Sequence, residues 1–185
     1  MKKLAIFIMV LVSCQAFGQF RGYAWGTPRE TILDENKWLE ADDFSASGKD
    51  PASVYVASFY FMDDGRLASG AQVPMFKGSL TADDWLNKYA QYQEILESKY
   101  GAAKEKREDW SSSTMKSIMD RATGLLYRDL QLVTTWTTGD TSILLSLENT
   151  GDITGDDIYL IILYRSLELD REYREEMKAR AGWNL

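Results

Sequence analysis

Apolar residues recur every three or four positions through Thr81–Gly101 (TADDWLNKYAQYQEILESKYG). Trp85, Tyr89, Tyr92, Leu96 and Tyr100 therefore fall on one face of a helix. Thr81 supplies an N-cap, Asp83 and Asp84 suit the positive first turn, and Gly101 fits a left-handed C′ position. Strand-like sequence lies on both sides, so this helix is expected to cover a sheet drawn from both halves of the chain.

Val54–Met62 (VYVASFYFM) is the strongest strand pattern. Both its faces are apolar, which predicts a central strand with little solvent on either side. Asp63-Asp64-Gly65-Arg66 reads as a hairpin turn. Leu67–Lys77 returns as a second strand that ends at Pro74 or lies at an edge, because Pro74 has no N–H for a ladder. Trp38–Phe44 reads as a short strand, and Ser45–Ala52 (SASGKDPA) as a loop by composition. After the long helix, the alternating charges of Ala103–Trp110 suit an exposed strand. Ser111–Thr123 reads as a short helix or irregular segment. Leu130–Trp136 and Ser142–Glu148 form a hairpin across Thr138-Gly139-Asp140, with Ile143, Leu145 and Leu147 on one face. Ile158–Tyr164 is again apolar on both faces. Ser166 caps a last helix to Ala181, ended by Gly182, whose apolar stripe is thin: Leu169, Tyr173 and Met177. The expected fold is α+β: an antiparallel or mixed sheet of about five to seven strands, with helices mainly on one face. Two hairpin-plus-helix halves suggest an internal repeat in architecture, with no residue-level match.

The N-terminus changes the picture. Lys2 and Lys3 precede the apolar run Leu4–Val12, which is too short to span a bilayer, and Ala16-Phe17-Gly18 places small residues at −3 and −1. Residues 1–18 read as a signal peptide and 19–185 as one domain, exported to the periplasm or beyond. Leu11-Val12-Ser13-Cys14 offers a second reading, a bacterial lipobox with Cys14 as the lipidated first residue. Removing Lys2 and Lys3 takes the formal charge from −7 to −9, and cleavage after Gly18 leaves no cysteine. That acidic balance argues against a nucleic-acid partner and against charge-driven membrane binding, leaving a lipid on Cys14 as the membrane contact.

The mature start, Phe20-Arg21-Gly22-Tyr23-Ala24-Trp25-Gly26-Thr27-Pro28-Arg29-Glu30, carries Thr27 and Glu30 at capping-box spacing around Pro28. A helix from Pro28 to about Asn36 is expected, with the Thr27 hydroxyl as its cap. The pattern F-x-G-x-x-W-G-T-x-x-E, with Lys99-Tyr100-Gly101 closing the later helix, resembles small exported bacterial proteins of unassigned function that begin F-x-G-x-x-W-G-[ST] after the signal. The resemblance implies a secreted or periplasmic α+β domain and carries over no catalytic residues.

The chain has no histidine, which removes Ser-His-Asp and Cys-His activation and the usual zinc sites. Ser113-Thr114-Met115-Lys116 matches the S-x-x-K nucleophile motif, but no S-D-N or K-T-G follows; a capped helix start with an exposed lysine explains it equally. Asn149, Asp152, Asp156 and Asp157 form the one calcium candidate, on a Gly-rich loop whose spacing fails the EF-hand pattern and otherwise reads as a solvated turn. Trp25, Trp38, Tyr55, Tyr60, Trp85, Trp110 and Trp136 offer either core packing or a sugar-stacking platform. No cofactor is implied. The reading carried forward is a non-enzymatic envelope module that binds a protein or small ligand. The alternatives are a carboxylate-dependent hydrolase and a structural surface lipoprotein anchored at Cys14. A pocket with two or more buried acids would favour the enzyme.

Overall fold

A computed structural model describes residues 19–151 and 157–180, the side chains of 173 and 176–180 excepted. Residues 1–18 with Cys14, the loop residues Asp152 and Asp156, and Gly182 lie outside the described residues.

The chain opens with a small hairpin, β1 (Gln19–Phe20) and β2 (Tyr23–Ala24), then α1 (Arg29–Glu35), β3 (Glu40–Ala41) and β4 (Ser45–Lys49). It continues through β5 (Tyr55–Phe61), β6 (Leu67–Pro74), the long helix α2 (Ala82–Tyr100) and β7 (Glu105–Trp110). Two short helices, α3 (Ser113–Ile118) and α4 (Arg121–Leu126), lead into β8 (Leu130–Thr138), β9 (Thr141–Asn149), β10 (Ile158–Ser166) and α5 (Leu167–Arg180). The architecture is α+β, with the two-stranded hairpin beside an antiparallel eight-stranded sheet ordered β3-β4-β5-β6-β10-β9-β8-β7. Two four-stranded meanders thus meet last strand to last strand at β6 and β10.

The eighth strand is β4, which composition marked as a loop. Its small residues answer to packing. Ala46 is buried opposite Phe59. A Cβ on Gly48 would come within 2.6 Å of the Trp38 carbonyl oxygen and 2.9 Å of its ring. Tertiary pairing has overridden strand propensity here.

Even-numbered residues of β10 and their partners face the helices. Leu160, Ile162, Tyr164, Ile143, Leu145, Leu147 and Trp136 form the core with Phe59 and Phe61. The helix α2 spans both meanders: the Tyr92 hydroxyl meets that of Tyr55 on β5 at 3.3 Å, and that of Tyr89 meets Thr134 on β8 at 2.7 Å. Burial pushes the Tyr89 phenol up to about 12. A capping box of Thr81 and Asp84 starts α2. Gly101 ends it at φ 86 and ψ −169, a region essentially reserved for glycine rather than the left-handed helical cap expected. Its carbonyl accepts from Trp136 Nε1 at 3.1 Å.

The other face departs from expectation. Val54–Met62 and Ile158–Tyr164 read as buried on both faces, yet each has one buried face and one partly solvated one. Tyr60 and Tyr159 are exposed, and Val56, Ile161 and Leu163 are half-buried. Neighbours across the sheet shield one another instead: Leu163 lies opposite Ala71 and Leu144, and Val56 opposite Val73.

The motif that opens at Phe20 is structural. Phe20 is buried against Phe59 and Tyr164, with ring centroids 5.1 and 5.5 Å away. Its ring lies on Gly70 of β6, where a Cβ would come within 2.2–2.6 Å of it. Arg21 and Gly22 both hold positive φ (54 and 89), as a two-residue hairpin turn requires. Trp25 packs on the core and donates Nε1–H to Thr141 Oγ1 at 2.8 Å. The capping box expected at Thr27 does not form. Gly26 N–H donates to Leu67 O, Leu67 N–H to Thr27 O and Arg29 N–H to Gly65 O, each at 2.9 Å. This ladder holds the chain extended through Pro28, so α1 starts at Arg29 and the Thr27 hydroxyl donates back to Ala24 O at 2.7 Å.

Arg21 reaches across to Asp50, a buried carboxylate after β4. The Ser53 hydroxyl, the Ala52 N–H and then Arg21 hold the Asp50 carboxyl below its usual range.

Two outcomes follow. Phe20→Ala should cost about 3–5 kcal/mol, and Gly70→Ala about 1–3 kcal/mol, in urea denaturation. An unchanged midpoint for Gly70→Ala would show that the Phe20 ring shifts freely. A lowered carboxylate pKa adds stability that is complete above the unfolded value, near 4, and is lost as pH falls through the folded one. Thermal melts should therefore show native protein well above Asp50→Asn at neutral pH, with the gap closing below about pH 4. A gap that persists in acid would contradict this account of Asp50.

Candidate functional site

The register of the sheet brings one row of side chains together on its open face. Ser45 on β4 lies opposite Tyr60, Tyr60 opposite Ser69, Ser69 opposite Arg165, Arg165 opposite Ser142 and Ser142 opposite Thr137. One guanidinium thus sits at the seam of the two meanders with a hydroxyl on each flanking strand. Adjacent strands are about 4.8 Å apart, so Tyr60 to Thr137 spans roughly 19 Å. Ser45 is already engaged, donating to Asp42 at 2.9 Å. Among the described residues, Arg165 forms no ion pair, and the side chains of Tyr60, Ser69, Ser142 and Thr137 form no hydrogen bond.

A cavity of about 690 Å³ opens over this row. Tyr60, Ser69 and Arg165 form its floor, and Phe44, Asp170 and Arg174 belong to its walls. The register of β5 against β6 shifts between Tyr60 and Phe61, and such a bulge re-aims the side chains beside it. Phe44 is 60% exposed and Tyr60 41%, so two ring faces remain open to solvent. Asp170 and Arg174 come from α5, which Ser166 caps by accepting the Leu169 N–H at 3.2 Å. Leu169 is buried, and Arg66 holds Glu172 at 2.8 Å. Asp170 is taken by Arg174, one turn on, at 2.8 Å. The acids of this cavity are therefore not a buried pair: Asp63 is exposed and Asp170 half-buried. The arrangement suits holding a ligand by charge, hydroxyls and ring faces.

A second cavity of about 650 Å³ lies between the start of α2, β7 and α4. Within it Arg121 pairs with Glu108 at 3.2 Å, Asp120 caps α4 by accepting the Thr123 N–H, and Trp110 donates to Glu108.

The residues singled out from the sequence are placed as follows. Ser113 is exposed in the first turn of α3, whose cap is Ser112, and Lys116 lines the second cavity. Asn149 is 6% exposed and committed inward. Its Nδ2 donates to Leu126 O at 2.8 Å, and its Oδ1 accepts the Gly151 N–H at 3.0 Å. Asp157 packs its side chain against Gly151. Among the described residues no group of three potential metal ligands occurs, and no helix is long and apolar enough to cross a membrane. Of the seven aromatics, Trp136 is core, Trp25, Trp38, Tyr55, Trp85 and Trp110 are half-buried, and Tyr60 alone faces the open row. Arg165, Ser69 and Ser142 were not visible as a set. Arg165 follows an apolar strand directly, and the residues that join it come from distant segments.

No protein-family model matches the chain, and no curated protein sequence does either. Among solved structures, the chain is similar to a DUF4309 family protein from Bacillus subtilis, with a TM-score of 0.45 and 8% identity over 79% of this chain and 83% of that one.

The inward commitment of Asn149 generates an expectation for the 149–157 loop. Excess EDTA should leave the melting temperature unchanged. A chelator-dependent melt would instead make this loop a calcium site.

Proposed function

We propose that this chain is an exported bacterial envelope protein whose domain binds a small ligand on the open face of its sheet. The observation that carries the reading is the row centred on Arg165. Among the described residues a guanidinium and four hydroxyls have no protein partner there, and two exposed aromatic residues line the same cavity. A cation without an acid partner among the described residues, beside hydroxyls and aromatic rings in a cavity of ligand size, is suited to binding a charged group. Hydrolysis by paired carboxylates is the weaker reading, since Asp170 is held by Arg174 and Asp63 is exposed.

Export rests on residues 1–18: the two lysines, the apolar run and the small residues before Gln19. The likeness of F-x-G-x-x-W-G-T to the starts of small exported proteins supports the same reading. Phe20 adds a constraint, because a core residue must remain after processing. Cleavage after Gly18 retains it with one residue to spare; lipidation at Cys14 retains it on a short tether and makes the protein a surface lipoprotein.

Intact mass of the protein from soluble and membrane fractions tests location. We expect a soluble species beginning at Gln19; full-length protein in the cytoplasm would defeat the export reading. Thermal melts against a mixed panel of small sugars, amino acids, carboxylates and phosphates test the site. At least one compound should raise the melting temperature saturably, with the response reduced in Tyr60→Ala. A flat response across the panel would remove the binding reading.

A further inference from the structure

We propose that the ligand of this site is an acidic sugar: a ring carrying hydroxyls and a single carboxylate, with the carboxylate on Arg165. This rests on the reading of the open face as a ligand site and narrows it to one chemistry.

Arg165 sits between Ser69 and Ser142 and forms no ion pair among the described residues, whereas Arg174 on the cavity wall already holds Asp170. A guanidinium presents a planar fork of donors that matches a carboxylate in two parallel hydrogen bonds. One such cation neutralises one negative charge. Asp63 and Asp170 line the same cavity, and the whole chain carries a formal charge of −7. A phosphate dianion would bring a second negative charge that no further cation of the row receives, since Arg174 is already paired with Asp170. A monocarboxylate fits that balance.

The hydroxyls then choose among carboxylates. Tyr60, Ser69, Ser142 and Thr137 each both donate and accept, and none is engaged by the protein among the described residues. A ligand with hydroxyls of its own uses them; a plain aliphatic or aromatic acid strips water from them without return. The exposed rings of Phe44 and Tyr60 supply apolar faces for the C–H face of a sugar ring. The row runs on beyond the cavity for two strands, to Ser142 and Thr137. The same chemistry therefore serves a free acidic monosaccharide or one acidic unit within a longer chain.

Titration calorimetry on the purified protein tests this with four probes: glucuronate, glucose, glucose 6-phosphate and a short oligogalacturonate. Glucuronate or the oligomer should bind at least about tenfold more tightly than glucose and the phosphate ester, the scale of one charge-assisted bidentate contact. Tighter binding of the oligomer than of glucuronate assigns the site to a chain; equal binding assigns it to the free sugar. Arg165→Gln should erase the preference for the acid over glucose. Glucose bound as tightly as glucuronate, or glucuronate affinity unchanged in a folded Arg165→Gln, overturns the inference while the ligand site stands. If Arg165→Gln does not fold, Phe44→Ser and Tyr60→Ala carry the test, since both side chains are exposed. Unchanged affinity for the acid in both variants overturns the inference. A calorimetric blank for all four probes overturns it too, and the wider melting panel then shows whether the site binds anything else.

Discussion

The fold turns on the contact between the Phe20 ring and the bare backbone of Gly70. It lies at the seam where the two meanders join, and it ties three strands to the first residues of the domain: Phe59 on β5, Gly70 on β6 and Tyr164 on β10. A sheet of eight strands has no closure of its own, and its middle pair must hold both halves in register. Placing a large ring on a glycine there lets the N-terminal hairpin reach the sheet at backbone distance. The Arg21–Asp50 pair and the ladder from Gly26 to Arg29 fasten the same segment at its other end.

That seam also fixes what lies on the opposite side. Tyr164 and Arg165 are consecutive in β10, so the pleat sends one into the core and the other onto the open face. Whatever anchors Tyr164 also positions Arg165. The guanidinium rises from one of the most constrained strands in the molecule, while the aromatic residues beside it come from a strand end and a bulge. A rigid charge beside adaptable walls is the arrangement expected of a site that fixes one group of its ligand and tolerates variation in the rest.

Much of the fold was legible in the sequence because its signals are local. The stripe from Trp85 to Tyr100, the cap at Thr81, the turn at Gly65, the stop at Pro74 and the cap at Ser166 depend on neighbours a few residues away. What escaped depends on partners far along the chain. Ser45–Lys49 is a strand because Phe59 and Trp38 need small residues opposite them. Thr27 fails as a cap because Gly65 and Leu67 claim the backbone around it. The apolar patterns of Val54–Met62 and Ile158–Tyr164 implied two buried faces, since periodicity records which residues avoid water but not whether a helix or a cross-strand neighbour covers them. The site was least legible of all. Tyr60 stands out as an aromatic in a strand pattern, but Ser69, Arg165 and Ser142 meet only through register, which no single segment encodes.

The ends of the sheet differ from its middle. At one end β3 is two residues long; at the other, β7 reads Glu-Lys-Arg-Glu-Asp-Trp, five charges in six positions, all on an edge that pairs with no further strand among the described residues. A foreign strand would find almost no length to pair with at the first edge, and at the second it would have to desolvate a charge at nearly every step. A broad, half-apolar sheet is ordinarily a template for fibrous stacking. Here growth is blocked at both margins, so the open face can stay accessible to solutes without recruiting the backbones of other copies.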